Sequence, residues 1–383
     1  MKKLITYLGV FSTVAILALP VAARNLAQPE AVTQDPCASV ESKNALYQAI
    51  VKNLKDDQAK AYEDSKKYLA CPAAAEVDEN QQKIIAYLKR FVDKYEAADK
   101  KNRFHNTLYV DKKYPEAYAL GKELLTAEPE NLKVMVDLGA NGYLVPPLKN
   151  PSLNAEALDY AKRALAMIDS GKTLPDWKPL PSKEVAVAYL NYTIGTLSLE
   201  KEPTVALKHL IKAAQFETPL KSSPYTYAYI AGAYETGVYA KQSDDYKAMY
   251  SGKDETPESK LALANINQTV DRMIDGYARA VALATDPKIA AAQKTNWSDS
   301  LTQWYKFRNN NTTDGMDQLV AGITTKPLPP EPTPITSLPT PPATPAATPA
   351  STSGATAPQG NGNGTASAPA AAKPTAKPDR PRN

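Results

Sequence analysis

Four segments of the chain repeat one pattern of small and apolar residues, at relative positions 0, +1, +4, +7 and +8. The segments begin at Ala117, Ala157, Ala206 and Met273. This spacing places the five residues of each segment on one face of an α-helix, where small side chains let a second helix approach closely. Any fold of this chain must therefore pack four such faces against other helices.

The rest of the central sequence also has helical periodicity. It predicts helices over Val40–Asp56 and Gln58–Ala70, and a longer helix that contains Ile84 and runs on through Phe104 and Leu108. No alternating, β-branched run of strand length occurs in the sequence. We therefore predict an all-α fold.

Helices with signatures of their own precede the repeated pattern, and they contain Leu138-Gly139, Ile194-Gly195, and Tyr227 with Tyr234. This arrangement resembles the tetratricopeptide repeat (TPR), a helix–turn–helix unit of about 34 residues with small residues where its two helices cross. The resemblance covers most of residues 40–285. It implies a TPR-like helical-hairpin solenoid over residues 37–325, closed by a terminal helix within residues 287–322.

The resemblance also implies a binding groove, because the first helices of TPR units line a concave surface that binds partner peptides. Aligned to the repeat starts, the candidate groove residues are Asn102, Asn106, Tyr109, Lys133, Val136, Tyr143, Tyr189, Tyr192, Thr196, Tyr225 and Glu235. Some members of the family clamp the C-terminal carboxylate of a peptide with a specific set of Lys, Asn and Arg residues. In this chain only Asn106 and Lys133 correspond to residues of that set. We expect an extended peptide or a glycan chain as the ligand.

Three insertions, over residues 141–154, 173–183 and 237–255, interrupt the pattern. Such loops gather on one face of a solenoid, often the binding face. The alternative is that each loop packs against the helices and stabilises them. In the insertion 173–183, the side chain of Trp177 would make that contact. The tyrosines leave a similar choice open between packing and binding. The chain has 22 Tyr against 5 Phe, and seven of the tyrosines lie in the segment from Tyr225 to Tyr250. These are either packing residues or a contact surface.

The N-terminus has the pattern of a signal peptide over residues 1–23. Lys2 and Lys3 precede an apolar stretch over residues 4–19, and small residues lead to a predicted cut between Ala23 and Arg24. A membrane anchor is the alternative, although the stretch is shorter than the roughly 20 residues of a membrane span. We expect a periplasmic or secreted protein that is not integral to the membrane after cleavage and begins with a flexible segment, residues 24–36.

The two cysteines agree with export. Cys37 stands just before the first predicted helix and Cys71 just after the second. An antiparallel helix pair brings those ends together, which predicts a disulfide in an oxidising compartment. The alternative is two free, buried cysteines.

The C-terminal segment, residues 326–383, holds 15 of the 32 prolines of the chain. Its Pro, Ala, Thr and Ser residues cannot bury enough apolar surface to offset the entropy of ordering, so we predict a disordered tail. The tail is either a solvated spacer or is attracted to an anionic cell-envelope surface. Its basic end contains Lys373, Lys377, Arg380 and Arg382.

Composition excludes several classes of function. The chain carries a net charge of +4, of which the N-terminal lysines supply +2 and the tail +3, so the central part carries −1. Such a domain lacks the basic surface of a nucleic-acid-binding protein. Two His and two Cys leave few residues for a metal site or for His-dependent catalysis, and Ala166 stands where a phosphate-binding loop ending at Gly171 needs glycine. We expect no cofactor and no metal; only a pair of carboxylates that meet in space is left open as a catalytic group.

Two hypotheses for function follow. The first is a non-enzymatic, exported TPR-like scaffold that binds a protein or peptide through a concave groove rich in Tyr and Asn. The second is a structural or carbohydrate-capturing cell-envelope protein tethered by its Pro-rich tail. An enzyme is a distant third.

Overall fold

A computed structural model of the chain describes residues 35, 37–72, 78–145 and 150–338. The predicted signal peptide and its cleavage site at Ala23 and Arg24 lie outside these residues, as do most of segment 24–36 and the tail beyond residue 338. The described residues divide into two compact units, one within residues 1–99 and the other within residues 100–383. The described residues contain α-helices and short helical turns but no β-strand. The all-α prediction is confirmed to that extent.

The α-helices, numbered in chain order, are α1 Val40–Asp56, α2 Gln58–Ala70, α3 Glu79–His105, α4 Tyr114–Ala127, α5 Leu132–Ala140, α6 Pro151–Asp169, α7 Lys183–Ser198, α8 Pro203–Ala214, α9 Pro224–Ala233, α10 Ala240–Tyr250, α11 Pro257–Leu283, α12 Ala291–Arg308 and α13 Met316–Ile323. Helix α3 continues into a π-helical turn, Asn106–Val110. The predicted bounds of α1 and α2 are confirmed, as is the extension of α3 through Phe104 and Leu108.

The first unit is built on a helical hairpin. Asp57 alone joins α1 to α2 and caps α2, because its carboxylate accepts from the N–H of Lys60 at 3.0 Å. A disulfide joins Cys37 to Cys71 at the far ends of the two helices, as the sequence predicts. The core of this unit is small, and its buried apolar side chains include Ile50, Tyr68 and Leu88. The disulfide therefore supplements a limited hydrophobic core.

In the second unit, helices pack largely in chain order. Helix α4 contacts α5, α5 contacts α6, and the series continues through α7 and α8 to α9, which packs on α11. The four repeated faces lie on α4, α6, α8 and α11, and their residues are buried except for the half-buried Leu158 and Val281. The small residues stand where helices cross. A Cβ on Gly139 of α5 would lie 2.7 Å from the Cα of Ala161 in α6.

The insertions differ in part from the prediction. Helix α6 begins at Pro151, within the predicted insertion 141–154, because Asn150 caps it and proline suits the first helical position. Most of insertion 237–255 is helical rather than a loop: a π-helical turn, Tyr234–Tyr239, leads into α10, and only residues 251–255 form a connection to α11. The terminal helix expected within residues 287–322 is two helices, α12 and α13, separated by a bend that includes the left-handed Gly315.

The predicted tail begins with an ordered segment, residues 326–338, which we call the C-terminal strap. Its main chain accepts hydrogen bonds from Arg279, Arg272 and Asn265 of α11. The prediction of disorder from residue 326 onward is therefore wrong for the strap. Composition measures the apolar surface that a segment can bury, and it does not reveal polar side chains elsewhere that bind its carbonyl groups.

Candidate binding cleft

Two of the candidate groove residues, Tyr143 and Tyr189, lie together at an open cleft of about 450 Å³. Tyr143 is in the 3₁₀ turn after α5 and Tyr189 is in α7. Their rings stack with centroids 5.6 Å apart, and both side chains are half-buried. We call this the tyrosine cleft; the other residues that line it are Ala140, Asn141, Leu180, Pro181, Val185, Glu217, Thr218 and Pro219.

A glycine positions Tyr143. A Cβ on the neighbouring Gly142 would lie 2.6 Å from the Cγ2 of Thr193 and 3.0 Å from the Cβ of Ala157. Its absence lets the turn approach α7, where the N–H of Tyr143 donates to the Oγ1 of Thr193 at 3.1 Å. Tyr192 supports the ring of Tyr143 by an edge contact, with centroids 5.3 Å apart. The half-buried tyrosine is thus held in place by packing and by a hydrogen bond of its backbone.

Two candidate groove residues are not at a surface. Val136 is 1% exposed and Tyr192 is 5% exposed, and both lie in the hydrophobic core of the second unit. Their assignment to an open groove is wrong. Helices α5 and α7 are buried on more than one face by the helices on either side, so a position counted along the helix does not identify the solvent side.

The tyrosine hydroxyls of the cleft stay protonated at neutral pH. Burial raises the pKa of Tyr143 to about 12 and also raises the pKa of Tyr189. The two groups can therefore donate and accept hydrogen bonds but carry no charge. The uncharged hydroxyls suit hydrogen bonds to neutral polar groups of a ligand.

Tyr109 and Lys133 meet at a residue that the sequence analysis missed. The carboxylate of Asp137 in α5 is buried, accepts from the hydroxyl of Tyr109 at 2.9 Å and pairs with the ammonium of Lys133. Burial raises the pKa of Asp137, while Lys133 and Tyr109 oppose that shift. The signal in the sequence is a lone acid within an otherwise apolar stretch of α5. Tyr109 and Lys133 are engaged with this carboxylate rather than turned to a ligand.

The other predicted groove residues do not join the cleft. Asn102 and Asn106 are exposed, and the hydroxyl of Thr196 donates to the carbonyl of Tyr192 in its own helix. The ring of Tyr225 packs edge-on against Trp297. The carboxylate of Glu235 accepts from the hydroxyl of Tyr277 at 2.7 Å and from the indole of Trp304 at 3.4 Å, and burial raises its pKa.

The two open choices about loops and tyrosines are resolved residue by residue. Trp177 is half-buried and packs against the core, in agreement with the packing alternative for the loops. Leu180 and Pro181 of the same insertion line the cleft. Tyr227 and Tyr234 are buried in the core, and Tyr229, Tyr239 and Tyr246 pack against it half-buried. The proline-rich composition of insertion 173–183 was a usable signal for the cleft, while nothing in the sequence marked Pro219.

No protein-family model matches the chain, and neither a curated protein nor a solved structure matches it. Among the described residues, no group of three or more His, Cys, Asp or Glu side chains is placed to hold a metal ion. Within those same ranges, none of the helices combines the length and apolar character needed to cross a membrane.

Proposed function

We propose that this protein is a non-enzymatic, exported, TPR-like scaffold that binds an extended peptide segment of a partner protein in the tyrosine cleft. The observation that carries the proposal is the pair of stacked, half-buried tyrosines, Tyr143 and Tyr189, on an open cleft with apolar walls. Tyrosine offers a rigid contact face together with a hydroxyl, which makes it frequent at protein interfaces.

The walls of the cleft favour a peptide over a sugar. Leu180, Pro181 and Pro219 surround the tyrosines with aliphatic surface, and the side chains of Asn141 and Thr218 add amide and hydroxyl groups. Apolar lining with a few polar groups is the usual composition of a specific ligand site. A peptide presents apolar side chains to such walls and main-chain groups to the polar ones, whereas a glycan presents hydroxyl groups on most sides.

Two further features support the rest of the proposal. Helices that pack in chain order, with glycine and alanine at their crossings, are what a TPR-like solenoid requires. The Cys37–Cys71 disulfide is typical of an oxidising compartment, in agreement with the signal-peptide pattern of the N-terminus.

A binding experiment with matched tyrosine variants tests the function. The mature protein is screened on an array of 15-residue peptides, and affinities for selected peptides are measured by calorimetry. Tyr189→Ala removes one face of the cleft, and we expect it to weaken binding about tenfold or more, as for an aromatic hot spot. Tyr250→Ala is the control, since Tyr250 is also half-buried but lies in α10, away from the residues that line the cleft.

Two outcomes would contradict the proposal. One is peptide binding that Tyr189→Ala and Tyr250→Ala change equally, which would place the site elsewhere. The other is an array without any bound peptide together with saturable binding of cell-envelope oligosaccharides, which would identify the carbohydrate-capturing alternative.

A further inference from the structure

Helix α11 carries three polar side chains at seven-residue intervals, Asn265, Arg272 and Arg279. Seven residues are about two turns of an α-helix, so the three side chains lie on one face. Each donates to a main-chain carbonyl of the C-terminal strap. We call this row the α11 ladder.

The contacts run along the strap in order. The Nη2 of Arg279 donates to the carbonyls of Lys326 and Pro327, at 3.0 and 2.8 Å, and the Nε of Arg272 donates to the carbonyl of Pro330 at 2.7 Å. Farther along, Asn265 donates to the carbonyl of Ile335 at 3.0 Å and accepts from its N–H at 2.8 Å. The strap is thus recognised through its main chain.

Main-chain recognition of this kind selects an extended, proline-containing strand. A polyproline-type strand makes no internal hydrogen bonds, so its carbonyls are open to donors from outside. Two of the accepting carbonyls belong to Pro327 and Pro330, while the strap residue that must also donate an N–H, Ile335, is not proline. Arg279 is positioned by contacts outside the strap, since it pairs with Asp275 at 2.7 Å and lies over the ring of Tyr227.

The strap itself is loosely packed. Each of its residues is exposed or half-buried, and a cavity of about 880 Å³ lies between it and residues such as Ile211, Gln215 and Tyr227. Near Glu331 and Arg272, the buried hydroxyl of Tyr234 has no hydrogen-bond partner among the described residues. Few buried apolar contacts and an unsatisfied polar group mark a segment that opens locally more easily than the core.

We infer that the α11 ladder is a docking surface for an extended, proline-rich strand of a partner polypeptide, which the strap of the same chain occupies until it is displaced. A second copy is the weaker candidate for occupant. Lys326 follows closely after Ile323, which is buried in the core, so an exchange of straps between two copies would require α13 to move. The inference concerns a different surface from the tyrosine cleft and does not depend on it.

The test uses the full chain with residues 328–335 replaced by a Gly-Ser sequence of equal length, which keeps the main-chain groups but removes the prolines that favour the extended conformation in which they reach Arg272 and Asn265. The probe is a fluorescent synthetic peptide of residues 326–338, followed by anisotropy. We expect saturable binding to this variant, and binding at least tenfold weaker to the wild-type protein, whose own strap competes at high effective concentration. Adding Arg272→Ala to the variant, or replacing the prolines of the peptide by glycine, weakens binding tenfold or more, while adding Tyr189→Ala leaves it unchanged.

The inference is overturned if the Gly-Ser variant has the circular dichroism of the wild type and yet does not bind the peptide, or if Arg272→Ala has no effect. If the variant does not fold, the displacement of the strap is measured directly. A fluorophore is then attached to the strap through the substitution Ser337→Cys in the otherwise wild-type chain. Excess peptide should then lower the anisotropy of the label, and an unchanged signal refutes displacement. A wild-type dimer that the peptide dissociates would identify a second copy as the occupant instead.

Discussion

At the scale of the residue, His209 of α8 shows how burial sets the chemistry of a single side chain. Its Nδ1 lies 2.8 Å from the Oδ1 of Asn191, a fully buried residue whose amide donates to the carbonyl of Val187. The Oδ1 of Asn191 is therefore an acceptor, and the Nδ1 of His209 carries the hydrogen. Burial lowers the pKa of His209, and Lys212 and Lys162 lower it further.

Because the pKa of His209 is lower in the folded protein than in the unfolded chain, acidic pH destabilises the folded state. The neutral imidazole is favoured in the folded state, so the contribution of His209 to stability is complete above the unfolded pKa of about 6.5 and is lost as the pH falls toward the folded pKa. We expect the melting temperature of the wild type to fall more between pH 7.5 and 5.5 than that of His209→Gln. His105→Gln, at an exposed side chain, is the matched control for the loss of one histidine. Parallel profiles of wild type and His209→Gln would contradict this assignment.

At the scale of the element, glycine in a helix has opposite effects depending on what faces it. A Cβ on Gly139 in α5 would meet the backbone of Ala161, with 2.7 Å to its Cα and 2.9 Å to its nitrogen. A Cβ on Gly232 in α9 would meet no atom within 4 Å. The first glycine is required by a helix crossing, whereas the second only lowers helix propensity.

The two substitutions should therefore differ in sign. Gly139→Ala forces α5 and α6 apart, and we expect it to lower the free energy of unfolding by about 1–3 kcal/mol. Gly232→Ala should leave it unchanged or raise it by up to about 1 kcal/mol, because alanine is the better helix former. Urea titrations of both variants measure the difference. A Gly139→Ala protein as stable as the wild type would show that the α5–α6 crossing is wider than described.

At the scale of the whole molecule, the two compact units differ in what stabilises them. The first has a small core and the Cys37–Cys71 bridge, and the second has the extended cores of α4–α13. All three tryptophans, Trp177, Trp297 and Trp304, belong to the second unit. Tryptophan fluorescence therefore reports on the second unit alone, while circular dichroism reports on the helices of both.

Reduction of the disulfide should separate the two signals. Opening a loop of this length costs about 4 kcal/mol in the chain-entropy model. With a phosphine reductant, we expect part of the helical signal to be lost at lower temperature while the tryptophan transition stays in place. The Cys37→Ser/Cys71→Ser double variant is the control and should behave as the reduced protein with or without reductant. An equal shift of both signals would mean that the units unfold as one.

The sequence by itself determined what depends on local periodicity. The bounds of α1 and α2 follow from apolar spacing. The burial of Ala117, Ala164 and Ala213 follows from the repeated pattern, because small residues that recur at helical spacing favour the close approach of a second helix. The pairing of Cys37 with Cys71 follows in the same way, since a hairpin brings its two ends together. The signal peptide and the TPR resemblance remain predictions.

Only the tertiary structure decided which side of each helix meets water and what binds the tail. Val136 and Tyr192 have positions that suit a groove, yet neighbouring helices cover both. Tyr143 reaches the cleft because Gly142 lets its turn approach α7, and Ile335 is ordered by Asn265, 70 residues earlier in the chain. Periodicity acts within one helix, whereas exposure and main-chain hydrogen bonding depend on elements far apart in sequence, and these contacts form only when the chain has folded.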